Sequence, residues 1–342
     1  MYFNAGNMIK KKLAFGVNEN SNNDKLNIAY GIDKNFILGC SVSITSILLF
    51  NKNFDFSFHI FTNYINNEFS DNLNKLAHEY KTEINVYLIE DKNFSNLPTT
   101  NNWTIATYFR FIIADYFYKK IHKILYLDAD IICKGTLNEL FSLKFNNNIC
   151  FVVKEKDQIW WNKCAVRLDE KEISSGYFNA GMLLIDLEKW GDYAVSSKAL
   201  QLLSDKNLVQ RFTYLDQDVL NLILLGQVIF IDKKFNQQIN INYELKSKSK
   251  FYHYLANLDD SVLIHYIGPT KPWHKWAQNY DCVQYFLTAR KASPYKKTPL
   301  CRAFTPKQLR YCAKHKFHQK KIFTGLIYFI KYIIFKMLFK II

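Results

Sequence analysis

Lys123–Cys133 reads KILYLDADIIC, an apolar run that passes directly into two carboxylates, Asp128 and Asp130, with one small residue between them. Ile124, Leu125, Tyr126 and Leu127 have the compact β-branched and aromatic character of a parallel central strand buried on both faces. Ligands of open α/β sheets gather outside the carboxyl ends of the strands, so a strand that stops on acid places Asp128 and Asp130 at the rim of a crevice. There the pair can share one divalent cation, with waters and phosphate oxygens completing the shell that Mg²⁺ or Mn²⁺ prefers. A solitary Asp-x-Asp also fits a solvated turn or a strand-end cap. The rest of the chain decides between these readings.

Upstream, Leu26–Tyr30 reads as a first strand that breaks at Gly31 and presents Asp33 and Asn35 before a helix over Ile37–Phe50. A strand, polar loop and helix in that order resemble the start of a nucleotide-binding α/β unit. Phe56–Phe61 and Ile84–Ile89 read as further strands around a helix over Phe69–Tyr80. The alternation predicts a mostly parallel sheet. Thr104–Tyr118 has helical spacing, with Arg110 in rich apolar company as either a snorkelling cation or one reaching into the crevice.

Downstream, Ile149–Val153 is a strand candidate, and the polar stretch holding Trp160 and Trp161 reads as a loop or short helix. Ser175–Asp186 follows. Its Phe178-Asn179-Ala180-Gly181 places small residues at a strand mouth, where backbone can approach a ligand closely. Glu188–Ser204 and Gln217–Leu225 read as helices, the second opened by Asp216-Gln217-Asp218, whose acids also suit plain capping. Val228–Ile231 and Val262–His265 are late strands. His265 is followed by Gly268 and Lys271, which makes a candidate phosphate-and-metal corner, since glycine permits close approach and lysine supplies a point charge.

The formal net charge of +15 is not spread over the chain. From Arg290 onward there are fourteen Lys and Arg and no Asp or Glu, which leaves 31 basic against 30 acidic residues before it. A neutral body with a basic, strongly apolar tail argues against nucleic-acid binding. Seven cysteines without a CxxC pair suggest neither a disulfide framework nor a zinc site, which fits a reducing cytosol. Residues 1–24 are Asn-rich and aperiodic and read as a flexible leader with no signal peptide. In the tail, Lys307–Lys321 is a polar helix candidate. Ile322–Ile342 then carries Lys331, Lys336 and Lys340 opposite a wide aromatic and aliphatic face. Its longest uncharged run, Ile322–Ile330, falls well short of the roughly 20 residues of a bilayer span, so the helix is expected to lie in the interface of an anionic membrane.

Together YLDAD (126–130), YFNAG (177–181), LDQDVLN (215–221) and HYIGPTKPWHKW (265–276) resemble the motifs of family 8 glycosyltransferases, over about Leu26–Trp276. Within that family the chain is similar to bacterial enzymes that add glucose or galactose to the lipopolysaccharide outer core. The resemblance implies an α/β nucleotide-diphosphosugar transferase (A-type glycosyltransferase) fold with a mostly parallel mixed sheet in residues 25–280, extended by a basic helical region over 281–342. It implies a metal-dependent, retaining UDP-sugar hexosyltransferase using Mn²⁺ or Mg²⁺ with UDP-glucose or UDP-galactose. Carried over by position, Asp128, Asp130 and His265 match the metal ligands. Asp33 and Asn35 match the surroundings of the nucleoside, and Gly268 and Lys271 the diphosphate contacts. Arg110, Asn179, Asp216 and Gln217 match residues around the donor sugar; Ile267 departs from the polar or cysteine residue of some relatives. The implied partners are the lipopolysaccharide acceptor and the inner-membrane surface, with the enzyme cytoplasmic and peripheral. Retention could come from a covalent carboxylate intermediate, for which Asp216 is the nearest charged candidate, or from front-face attack. Because Gln217 is a poor nucleophile, front-face attack is the expected route, with the departing phosphate taking the acceptor's proton. Two rival readings are an Asp-x-Asp phosphatase and a non-catalytic membrane-surface protein.

Overall fold

The computed structural model describes residues 5–16, 25–94, 96–100, 104–246 and 258–341 of the chain. Its strands are β1 (Ile9–Phe15), β2 (Leu26–Ile32), β3 (Phe56–Thr62), β4 (Glu83–Ile89), β5 (Lys123–Leu127), β6 (Ile131–Cys133), β7 (Cys150–Lys154), β8 (Phe178–Asp186), β9 (Val228–Phe230), β10 (Gln237–Ile239) and β11 (Leu263–Tyr266). Eight of them form one mixed sheet in the order β1-β4-β3-β2-β5-β8-β7-β9. The pairings along β4-β3-β2-β5 and between β7 and β9 are parallel, whereas β1 and both neighbours of β8 inside the sheet run antiparallel. The mostly parallel α/β sheet expected from the sequence is present.

Chain order reverses between β2 and β5, which lie side by side. Such a switch point opens a crevice at the strands' carboxyl ends. Asp33 follows one of these strands and Asp128 the other. Under the crevice runs the helix Ile37–Phe50, buried on nearly every side because its apolar residues alternate with Gly39, Ser41, Ser43, Thr45 and Ser46. Three of its hydroxyls are satisfied locally: Ser43 Oγ meets Tyr30 Oη at 3.0 Å, Thr45 Oγ1 donates to the Ser41 carbonyl at 2.8 Å and Ser46 Oγ to the Ser43 carbonyl at 2.6 Å. A Cβ on Gly39 would stand 2.6 Å from the Ala129 carbonyl, so this helix supports the Asp128–Asp130 turn at contact distance.

The short strand β6 leaves the main sheet and joins β11 and β10 in a second, three-stranded sheet. Its antiparallel register sets Ile131 opposite His265, and this pairing brings the histidine beside Asp130. The C-terminal region folds back against this layer. Its helix Pro306–His318 opens on a reciprocal cap between Thr305 and Gln308. His315, fully buried, then ties the helix to the body through Tyr280 Oη (2.7 Å) and Asn242 Oδ1 (2.9 Å).

Several local expectations are corrected. The leader is not wholly aperiodic, because Ile9–Phe15 pairs antiparallel with β4 as the edge strand of the sheet; residues 1–4 and 17–24 lie outside the described residues. The run Lys10-Lys11-Lys12 hides the pattern, yet lysines suit an edge, where they discourage further strand pairing. Lys10 meets Glu90 at 2.7 Å. The Trp160–Trp161 stretch, read as a loop or short helix, is a helix, Gln158–Leu168, capped by Asp157 accepting from the Trp160 amide. The span read as one helix from Glu188 breaks at Ala194, whose φ of 55° divides Leu187–Asp192 from Val195–Ser204. Thr104–Tyr118 divides likewise into a 3-10 turn over Ile105–Tyr108 and a helix over Phe109–Phe117.

Candidate active site

Asp128, Asp130 and His265 converge so that one ligand atom from each lies within 4.8 Å of the others. His265 Nε2 stands 3.2 Å from Asp130 Oδ1 and 3.8 Å from Asp128 Oδ2. The tautomer follows from its neighbours. Asn236 Nδ2 donates to Asn179 Oδ1 (3.0 Å), so Asn236 turns its Oδ1 toward His265 and accepts the Nδ1 proton at 3.0 Å. Nε2 therefore offers a lone pair, as a metal-ligating histidine held by an outer carbonyl does. Asp130 Oδ1 is buried and accepts no hydrogen bond, so two acceptors face one another across a gap that suits a cation. The other Asp130 oxygen accepts from Lys271 Nζ, which also donates to the Tyr266 carbonyl at 2.9 Å. Burial alone would raise the Asp130 pKa, but the Lys271 ammonium opposes it, and the carboxyl is held well below its usual range.

Behind the histidine runs a chain of amides. Asn179 Nδ2 donates to Glu155 Oε2 (3.2 Å) and Gln217 Oε1 (3.1 Å), and Gln217 Nε2 donates to Glu155 Oε2 at 2.8 Å. Gln217 Oε1 also accepts the Ala180 amide and Asn179 Oδ1 the Gly181 amide, both at 3.0 Å. Each amide orientation is thus set by its neighbour, from the buried Glu155 through to His265.

Arg110 fills the opposite wall. Its guanidinium is 4 % exposed and donates to Asp128 Oδ1 (3.1 Å) and the Ala180 carbonyl (2.6 Å), while Nε meets Asp216 Oδ2 at 3.0 Å. The plane lies 4.5 Å from the centroid of Tyr126, whose hydroxyl donates to the same Asp128 oxygen. Asp216 takes a second bond from Thr107 Oγ1 at 2.9 Å. Burial raises its pKa to about 6, and Arg110 opposes that rise. At the other end of the same 3-10 turn, Thr104 Oγ1 donates to Asp33 Oδ2 at 3.0 Å. One short segment therefore links the acids on both sides of the switch point.

The protein-family model described as glycosyl transferase family 8 matches residues 27–277, well over half of the chain. The chain belongs to glycosyltransferase family 8. The model of the C-terminal region of family 8 matches residues 280–336. Among family 8 relatives, a lipopolysaccharide 1,3-galactosyltransferase of Salmonella typhimurium is 48 % identical over 327 residues, 95 % of each chain. A lipopolysaccharide glucosyltransferase of Escherichia coli K12 is 45 % identical over 90 % of this chain and 91 % of its own. The fold is also that of the galactosyltransferase LgtC, solved with donor and acceptor sugar analogs. That likeness covers 79 % of this chain and 96 % of LgtC, with a TM-score of 0.66 at 21 % identity.

In this family 8 chain the structure gathers Asp128, Asp130, His265, Lys271, Arg110, Asn179, Asp216 and Gln217 into one bonded cluster. Asp33 and Asn35 stand on the same sheet rim, one strand away. Asp33 Oδ1 accepts the Asn35 amide at 2.8 Å, and Asn35 is exposed. Gly268 makes a left-handed turn, φ +85°, after β11, where an added Cβ would stand 2.8 Å from Asn240 Nδ2. Glu155 and Asn236 were not singled out in the sequence. Gly181 leaves no room for a side chain, since a Cβ there would stand 2.3 Å from His265 Cε1 and 2.9 Å from Asp128 Oδ2. Gly181→Ala is therefore expected to displace the imidazole, lowering turnover about 100-fold, with overpacking of ~1–3 kcal/mol. Mn²⁺ titration alongside UDP-sugar turnover checks this, and wild-type behaviour in both would refute the assignment.

Proposed function

We propose that this chain is a metal-dependent, retaining hexosyltransferase that moves glucose or galactose from a UDP-sugar to a hydroxyl of the lipopolysaccharide outer core. The observation that carries this reading is the meeting of the His265 Nε2 lone pair with the unbonded Asp130 Oδ1 at the switch point, beside Asp128 and Lys271. Asp128, Asp130 and His265 would hold the cation. The carboxylates suit Mg²⁺ or Mn²⁺, and the imidazole moves the preference toward the transition metal. When bound, the ion supplies Lewis-acid stabilisation of the charge on the departing diphosphate. The family relatives that act on lipopolysaccharide support the acceptor class.

Lys271 binds the diphosphate as a point charge on the loop turned by Gly268. Asp33 and Asn35 take the nucleoside, while Asn179, Arg110, Asp216 and Gln217 surround the sugar. Both Asp216 oxygens are engaged, by Arg110 and by Thr107, and Gln217 Oε1 accepts two hydrogen bonds. Neither side chain presents a free nucleophilic oxygen, which supports front-face attack, with the acceptor's proton passing to the leaving phosphate oxygen. The test is UDP release from UDP-glucose and UDP-galactose separately, with Mn²⁺ or chelator, with and without truncated lipopolysaccharide. Metal-dependent release with one sugar, stimulated by the acceptor, supports the reading and names the donor. No release with either sugar from folded protein overturns it.

The tail holds this enzyme on the anionic cytoplasmic face of the inner membrane. Its helix Ile322–Ile341 leaves Phe323, Ile327, Ile330 and Leu338 exposed, Phe323 by 85 %. It packs along helix Pro306–His318, with Gly325 against Phe317 and Tyr328 beside Cys312. Among the described residues no helix is long and apolar enough to cross a membrane. Binding in the interface is the alternative that covers such a face. Deleting 322–342 is expected to release the protein from vesicles containing anionic lipid while UDP-sugar hydrolysis persists. Flotation and hydrolysis assays check the pair of outcomes, and retained binding or loss of both activities counts against this role.

A further inference from the structure

A cleft of about 420 Å³ opens beside the Asp33–Phe36 turn, lined by Asn35, Tyr64, Trp273, His274, Phe304 and Gln308 among others. Its volume lies within the roughly 300–1,000 Å³ of small-molecule sites. Phe36 joins it to the candidate active site. Trp273 packs edge-on against the Phe36 ring at 5.5 Å between centroids, and Lys271 Nζ lies 5.9 Å from the same ring. We propose that this cleft is a subsite for a sugar of the acceptor chain at least one residue removed from the reacting hydroxyl, a proposal that rests on the glycosyltransfer reading above.

Three features fit a sugar. Phe304 occupies the position before the cap of helix Pro306–His318, where an apolar residue usually packs on the helix's fourth residue. That residue, Leu309, is buried in the body at 2 % exposure, while Phe304 stays 63 % exposed at the cleft. Its backbone is not loose, because the Phe304 amide donates to Gln308 Oε1 at 3.2 Å. With Tyr64, 37 % exposed, it gives aromatic faces for the C–H face of a hexose, above the buried Trp273. Second, His274 is buried and neutral, its Nδ1 accepting the Lys271 backbone N–H at 3.0 Å. The proton therefore sits on Nε2, the donor this ring has for a hydroxyl. Third, the charged side chains of the lining are one lysine, Lys34, and one acid, Glu68, a balance that suits a neutral ligand better than a phosphate.

One wall of the cleft, from Tyr295 to Gln308, belongs to the C-terminal region and lies outside the residues 27–277 matched by the catalytic family model. The C-terminal region thus reads the acceptor as well as carrying the tail. The hydrogen bond from Lys271 to His274 also couples the cleft to the loop that holds the diphosphate.

The test compares wild type, Tyr64→Ala and Phe304→Ala on truncated lipopolysaccharide, on a methyl glycoside of its terminal sugar, and on UDP-sugar alone. Both variants are expected to raise KM for lipopolysaccharide about tenfold, the scale of losing one well-packed aromatic contact. Their kcat, donor KM, KM for the methyl glycoside and UDP-sugar hydrolysis stay at wild-type values. An unchanged lipopolysaccharide KM in both variants, or an equal rise for the methyl glycoside, overturns the subsite while leaving glycosyltransfer standing. Wild-type enzyme that transfers nothing to any acceptor overturns the glycosyltransfer reading and the subsite with it.

Discussion

Asp130→Asn is expected to lower kcat/KM for the UDP-sugar by about 10³-fold, at the upper end of what losing one preorganised electrostatic group does. The upper end applies because this carboxylate has several neighbours to serve. Oδ1 faces His265 Nε2 and Oδ2 takes Lys271, so the amide loses the charge that draws the cation and leaves the lysine without its ion pair. Asparagine keeps the shape and one acceptor oxygen, which separates loss of charge from loss of packing. Mn²⁺ affinity measured by calorimetry should fall together with turnover. The thermal midpoint should move far less than activity, because Lys271 Nζ keeps the Tyr266 carbonyl as a partner. A variant that binds Mn²⁺ and releases UDP within a few-fold of wild type would remove Asp130 from the site.

That Asp130 is a candidate site residue is legible in eleven consecutive residues, since an apolar strand that stops on acid is a local signal. The partners differ in how they can be read. His265 lies 135 positions away in the chain, and only the antiparallel pairing of β6 with β11 sets it beside Asp130. Its place was visible through a resemblance of motifs and not through spacing. Asn236 and Glu155 gave no such signal, because their function is to hold other side chains. Asn236 fixes the tautomer of a histidine 29 residues later, and Glu155 is recognisable only once Asn179 and Gln217 are seen bonding to it. The main strands were legible from their buried runs, whereas edge and break features were not. Lys10-Lys11-Lys12 resembles leader until β4 lies alongside, and Ala194 adopts a left-handed φ that no alanine announces. The cleft at Phe304 is further from reach, since it joins a turn near residue 35 to a cap near residue 305.

Arg110→Ala is expected to impair both folding and catalysis, and a second substitution separates the two. The guanidinium stands between Asp128 and Asp216, and it and Asp216 each have only 4 % of the side chain exposed. Removing it leaves Asp216 a buried acid without its cation, a change that typically costs about 3–5 kcal/mol. The Asp216 pKa already stands near 6 with the arginine present, so without it the carboxyl is expected to take up a proton at neutral pH. Asp216→Asn in the Arg110→Ala background removes that unpaired acid. Denaturant titration should therefore show the double variant to be more stable than Arg110→Ala alone, with a coupling of roughly 0.5–3 kcal/mol for a contacting pair. Turnover is not expected to recover, because Arg110 also orients Asp128 and the Ala180 carbonyl, and its loss lowers transfer about 10²–10³-fold. Arg110→Lys keeps the charge but not a fork that reaches both acids, so it should restore stability more than rate. Recovery of turnover in the double variant, or additivity of the two stability changes, would mean that the Arg110–Asp216 pair acts neither as a unit of folding nor as a fixed wall of the donor site.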